Sequence, residues 1–226
     1  MTSEQIRKKF FDFFKKKGHK IASSSSLIPD DPSVLLTTAG MQQFKKYYTN
    51  ELSALKDFDS QRTVSIQKCF RTSDIEEVGD KTHLTFFEML GNFSFGPVGE
   101  DNFEDFGKDG YFKRSAIFWA YEFITQVLGI SVNRIKVSDF KGDLEIPLDK
   151  ESYKIWHEEI GISKDKIILG ERVDNFWGPT GDEGPCGPCS EIYVDGVEIW
   201  NLVFNEYYKK KDGSFVKTKN PGVDTG

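Results

Sequence analysis

Residues 182–191 read DEGPCGPCSE, and Cys186 and Cys189 have the spacing of a thioredoxin-type dithiol. That chemistry needs a lowered thiol pKa, normally set by the start of a helix behind a strand. Here the pair sits among Gly184, Pro185, Gly187 and Pro188, and SEIYV follows. Ile, Tyr and Val favour a strand at that point, so the redox reading lacks its helix. A zinc site would need two more ligands at sensible spacing. Only Cys69 and the scattered His19, His83 and His157 remain, without an HxxxH or a second CxxC. No zinc is expected. The pair then reads as a loop shaped by Gly and Pro, its small cysteines semi-buried.

A second constellation is more informative. Arg71 closes the apolar run TVSIQKCFR (63–71), and His83, Phe87 and Met89 fall in HLTFFEML (83–90). Read as strands, period-two geometry puts His83, Phe87 and Met89 on one face. An Arg at a strand end neutralises phosphate in a bidentate fork, and an aromatic ring on a shared face stacks on a base. A Phe and Met stripe is equally a core stripe, and an Arg near a turn is commonly solvated. The residues alone leave both readings open.

The elements that would position these groups are mixed. Ile6, Phe10, Phe13 and Phe14 share one face of a predicted N-terminal helix that Gly18 stops. A turn-rich loop, ASSSSLIPDDPS, leads to VLLTT, read as a short strand, and then to a helical AGMQQFKKYYT. TSDIEEVGDKT is the polar loop joining the two strands around Arg71 and His83 as antiparallel neighbours. Residues 113–129 and 150–161 are predicted helices ending at Gly129 and Gly161. SEIYV and VEIWNLVFNEYY are strands, and Asp212-Gly213 marks a hairpin turn. No repeat or linker divides the chain. The expected class is α+β, an antiparallel sheet flanked by helices.

Composition narrows the function. Thirty-six acids against 30 bases give a formal charge of −6, which argues against coating nucleic acid by charge alone. Aromatics make up 14% of the chain, enough for both a ring-rich core and stacking surfaces. Three cysteines without a framework point to a reducing compartment. No run approaches the ~18 apolar residues of a membrane span, and the N-terminus is too densely charged for a signal peptide. A cytoplasmic protein without membrane contact is expected.

KCFRTSDIEEVGDKTHLTFFEMLGNFSFG resembles motif 2 of the class II aminoacyl-tRNA synthetases, in the form of the alanyl-tRNA synthetase family. SSSLIPDDPSVLLTTAGMQQFKKYY resembles that family's first block. DNFWGPTGDEGPCGPCSEIYVD and EIWNLVFNEYY resemble its amino-acid-pocket segments, and PGVDTG the opening of its motif 3. The resemblance covers nearly the whole chain. It implies an antiparallel sheet holding a bent ATP, with GPCGPCSE a loop beside the amino-acid pocket. It also implies alanine activation by ATP and Mg2+, then transfer of alanine to tRNA(Ala).

By the same resemblance Arg71 is the catalytic arginine bridging the alanine carboxylate and the α-phosphate. His83 would face the terminal phosphates, Phe87 would stack on adenine with Met89 beside it, and Asp74 would contact ATP. Ser73 stands where class II enzymes usually carry a glutamate. Trp177, Asn201, Val203, Asp224 and Gly226 match the amino-acid pocket, with Asp224 facing the α-ammonium. A monomer is expected. Residues 1–226 would form the aminoacylation domain, ending inside motif 3 before its arginine, with tRNA-recognition, editing and C-terminal domains absent. The alternative is a synthetase-like binding module without catalysis. On the first expectation the chain alone forms alanyl-adenylate at a severely reduced rate; ATP–pyrophosphate exchange near that of a longer version would refute it.

Overall fold

Helix α1 (Ser3–Lys16) starts where its sequence says it should. Thr2 and Gln5 cap one another: the Gln5 N–H donates to Thr2 Oγ1 at 3.3 Å, and the Thr2 N–H to Gln5 Oε1 at 2.9 Å. Its buried face carries Phe10, Phe13 and Phe14. Gly18 follows with φ +84°, and a Cβ there would lie 2.4 Å from the Gly107 carbonyl oxygen, so only glycine fits. In this computed structural model residues 1–30, 34–72, 75–76, 78–80, 83–179 and 181–226 are described.

The frame is a nine-stranded sheet. In chain order the strands are β1 (Lys20–Ile21), β2 (Arg62–Phe70), β3 (Phe86–Ser94), β4 (Ile135–Phe140), β5 (Ile167–Gly170), β6 (Phe176–Trp177), β7 (Gly184–Val194), β8 (Val197–Lys209) and β9 (Phe215–Thr225). They lie in the order β1-β2-β3-β9-β8-β7-β4-β5, with β6 on β7. Every pair is antiparallel except the two at the ends, β1 with β2 and β4 with β5, which are parallel. The expected antiparallel sheet therefore holds for its centre, and its margins make it mixed.

One face is closed by α1, by α4 (Lys113–Glu122) and by α5 (Lys150–Lys154) with the turn that continues it to Ile160. Phe14, Ile117, Trp119, Ile124 and Trp156 pack there against Val64, Val137, Ile192, Leu202, Phe204 and Val223. On the opposite face Met41, Phe44 and Tyr48 cover Phe93 and Phe95. Tyr48 belongs to the short α2 (Lys45–Tyr48), which α3 (Ala54–Phe58) follows. Strand alternation thus sorts the side chains: Leu202 and Phe204 face the helices, while Asn201 and Val203 face the other way.

Four expectations change. VLLTT (34–38) is not a strand: Leu35 is 92% exposed, and the segment is held at Thr37, whose N–H donates to Leu27 O and whose carbonyl accepts from Phe70 N, both at 2.9 Å. The second strand begins at Phe86, so His83 lies in the preceding loop and strand alternation does not place it with Phe87 and Met89. GPCGPC is not a loop but the start of β7, with a bulge between Cys186 and Cys189. Gly187 makes this possible, because a Cβ there would sit 1.7 Å from the Phe204 carbonyl oxygen. Both cysteines are fully buried rather than semi-buried, and both are free thiols.

Arg62, 1% exposed, ties three segments together. It donates to the carbonyls of Asp109 at 2.5 Å, Asp105 at 2.8 Å and Lys17 at 3.0 Å. Its guanidinium stands 5.5 Å from the rings of Tyr111 and Trp119. Arg62→Met strands those carbonyls without donors and should cost about 3 kcal/mol in urea unfolding. Arg114→Met removes a half-exposed pair with Glu159 and should cost under ~1 kcal/mol.

Candidate functional site

Arg71 directly follows β2, and its backbone N–H donates to Thr85 O at 2.8 Å. Its Nε donates to Thr38 O at 3.0 Å, and its guanidinium carbon stands 5.2 Å from the Phe87 ring centroid. The register Cys69↔Phe87 and Gln67↔Met89 puts Phe87 and Met89 on one face. The Gly40 N–H points at Met89 Sδ, 3.3 Å away. A Cβ built on Gly226 would come within 2.7 Å of the same sulfur, so Met89 is the joint between Phe87 and the end of β9. His83 stands apart in the loop, its Nδ1 2.7 Å from Asp80 Oδ2. Asp74 lies outside the described residues.

The second group gathers on β6, β8 and β9. Asp224 sits opposite Phe93 on β3 and Val203 on β8. It is 7% exposed, and burial alone pushes its carboxyl up to about 7. Among the described residues no Lys, Arg or His forms an ion pair with it. The Tyr48 hydroxyl donates to Val223 O at 2.6 Å and so pins β9 at this point. Asn201 N–H donates to Gly226 O at 2.8 Å, and Gly226 N–H returns a bond to Asn201 O at 3.0 Å. Val203 is buried, and Trp177 on β6 packs against the cluster of Met41, Phe44 and Phe93.

Phe87, Met89 and Gly226 line a cavity of about 540 Å³ that runs between β3 and β8 to Leu90, Phe123 and Trp200. A separate cavity of about 510 Å³ lies among Ser25, Asp30, Thr37, Gln42 and Lys45. Burial raises the Cys186 thiol to about 11 and Cys189 well above its ordinary value. That is the opposite of what a redox thiolate needs. Among the described residues no group of three His, Cys, Asp or Glu could hold a metal ion.

The face therefore combines a guanidinium beside an aromatic ring, which suits a phosphate and a base, with a buried, cation-free carboxylate, which suits an ammonium. Glu191, within the SEIYV strand, belongs to the same face. It is 4% exposed and accepts from Ser138 Oγ at 3.0 Å, from Asn201 Nδ2 at 3.3 Å and from the Tyr193 hydroxyl. Its signal was an acid two residues from Cys189 inside a strand that is otherwise apolar.

The profile of the family described as "tRNA synthetases class II (A)" matches residues 5–226. An alanine–tRNA ligase of Rubrobacter xylanophilus is 46% identical across 100% of this chain and 27% of its own length. One of Treponema denticola is 42% identical, across 100% of this chain and 38% of its own. The chain thus spans between about a quarter and two fifths of these curated relatives. Among solved structures, a pyrrolysyl tRNA synthetase of Desulfitobacterium hafniense superposes with a TM-score of 0.53 at 11% identity, covering 98% of this chain and 64% of that one. A structure titled as the RNA binding domain of threonyl-tRNA synthetase from Cryptosporidium parvum gives 0.51 at 11%, covering 98% and 60%. These two likenesses concern the fold.

The raised Asp224 carboxyl sets a pH dependence of stability. Below pH ~4 folded and unfolded chains both hold the proton; between there and about 7 only the folded chain does, so stability falls as pH rises through that window. Asp224→Asn should therefore melt higher than the parent at pH 8, by a few kcal/mol at ~1.4 per pKa unit. The gain should vanish near pH 4, as read by thermal melts across pH.

Proposed function

This chain belongs to the class II (A) tRNA synthetases, and from that membership we propose that it binds alanine and ATP and joins them as alanyl-adenylate. The alanine carboxylate attacks the α-phosphorus, a carboxyl–phosphate bond forms, and the bond to the β-phosphate breaks to release pyrophosphate. The observation that carries this reading is the pairing of Arg71 and Phe87, 5.2 Å apart, on the sheet face that also buries Asp224. Arg71 neutralises the charge that gathers between carboxylate and α-phosphate, a preorganised electrostatic contribution to the in-line step. Its bond to Thr38 O holds the fork in place before substrate arrives. Phe87 offers the ring for adenine, Met89 an apolar wall, His83 a partner for the terminal phosphates, and Asp74 a polar contact with ATP. Class II synthetases use ATP with Mg2+, which enters on the phosphates and neutralises them.

Asp224 and Asn201 bind the α-ammonium, Gly226 keeps the backbone close, and Val203 with Trp177 limits the room to a methyl group. One methylene in such a pocket is worth only ~1–3 kcal/mol, so glycine and serine are poorly excluded and correction belongs elsewhere. Residues 1–226 act as an adenylate-forming domain. Transfer to the 3′ end of tRNA(Ala) in the full-length enzyme, a monomeric state and a cytoplasmic setting complete the proposal. No helix among the described residues is long and apolar enough to cross a membrane.

Calorimetry with a sulfamoyl analogue of alanyl-adenylate tests it. We expect one-to-one binding that alanine and ATP together displace. Phe87→Ala should weaken the analogue about tenfold or more, the scale of a lost base stack. Arg71→Ala should weaken it further, and Arg71→Lys should not restore it, because the planar fork is lost. No binding by the parent chain would overturn the assignment.

A further inference from the structure

Four elements converge on one buried carboxylate. Glu191 lies on β7; the Ser138 hydroxyl reaches it from β4 and the Asn201 amide from β8. Ser138 is held in turn by the Asn175 amide, which donates to its Oγ at 2.7 Å from α6 (Arg172–Asn175). Asn175 also donates to Cys189 O at 3.1 Å. The three donors on Glu191 are all neutral. Burying a carboxylate without a cation is costly, and burial raises the pKa of Glu191 above its ordinary value. A residue kept under that penalty invites a functional reason.

The reason lies in the orientation of Asn201. An ionised carboxylate only accepts hydrogen bonds, so Glu191 Oε1 selects the amide nitrogen of Asn201 and turns the amide oxygen away. That oxygen, Oδ1, is buried and accepts from no donor among the described residues. An orphan acceptor costs ~1–3 kcal/mol, and a donor brought to the same sheet face as Asp224 would relieve that cost. The Asn201 backbone is fixed by two bonds to Gly226, two residues beyond Asp224. The geometry points to Glu191 as a positioning residue that clamps the Asn201 amide so that Oδ1, together with Asp224, accepts from the α-ammonium of the bound amino acid. This rests on the alanine-activating reading above. Glutamine at 191 could instead donate to Asn201 Oδ1, reversing the amide and pointing N–H groups at an ammonium.

The test is a double-mutant cycle read by calorimetry on the 226-residue chain, with the sulfamoyl analogue of alanyl-adenylate and, separately, with ATP. Glu191→Gln should weaken the analogue about tenfold, the scale of one lost hydrogen bond, and leave ATP binding unchanged. In an Asn201→Ala background Glu191→Gln should have no further effect, because its action runs through that amide. A merely structural role would weaken both ligands, or would add its effect in the Asn201→Ala background; either result overturns the inference while leaving the activation reading intact. If the parent chain binds no analogue, the activation reading fails and takes this one with it. Should Glu191→Gln not fold, Tyr193→Phe removes one donor from Glu191: analogue binding falls several-fold with ATP binding unchanged, or the inference is wrong.

Discussion

The site depends on how β9 is threaded between β3 and β8. Asp224 is the residue that β9 sets opposite both Phe93 and Val203, and Tyr48 holds the strand there through Val223 O. Because side chains alternate along a strand, a slip of one residue would send Asp224 into the helix-covered core and bring Val223 or Thr225 to the open face. That core is packed with Trp119, Phe204 and Leu202, and a carboxylate in place of Val223 would be buried among apolar side chains. The register is thus enforced from both sides: apolar packing behind the sheet decides which residues come forward.

The two sides of the sheet treat buried charge differently. On the helix side Lys113 is clasped by Asp149 at 2.9 Å and Glu206 at 2.8 Å, so the cation and its partners are mutually satisfied. Asp139 nearby is pushed by burial to about 8 and is largely neutral at pH 7. On the open face Asp224 and Glu191 pair with no cation among the described residues, and the Arg71 guanidinium lies over Phe87 instead. Among the described residues the open face therefore carries no ion pair at Arg71, Glu191 or Asp224, leaving an anion-seeking group at the end of β2 and cation-seeking groups on β7 and β9.

Much of the frame was legible in sequence because the signals are local. The face of Phe10, Phe13 and Phe14, the stops at Gly129 and Gly161, and the Asp212-Gly213 turn each need only neighbours a few residues away. The failures needed distant ones. GPCGPC reads as a loop until Phe204 O is seen pressing on Gly187 from another strand. VLLTT has the composition of a strand, yet among the described residues only Thr37 finds backbone partners, and those are Leu27 and Phe70. His83 fell outside the alternation because β3 starts three residues later than its apolar pattern suggested. Glu191 could not be assigned at all from local sequence, since its meaning comes from Ser138, 53 residues before it, and from Asn201 across the sheet.

Under the proposed reading this arrangement divides recognition into two kinds. Arg71, Asp224 and Asn201 address the carboxylate and ammonium, which every α-amino acid carries, so they supply affinity and orientation without choosing among side chains. The choice falls to Val203 and Trp177, both uncharged and packed into larger clusters or the strand surface. Such walls reject by overlap, a steep penalty against anything large and a shallow one against anything small. The polar groups have a further consequence: because Asp224 lacks a cation of its own, charging it in the empty pocket is disfavoured. An ammonium that supplies the missing charge is therefore bound with proton release near neutral pH, which couples amino-acid binding to the ionisation of the pocket floor.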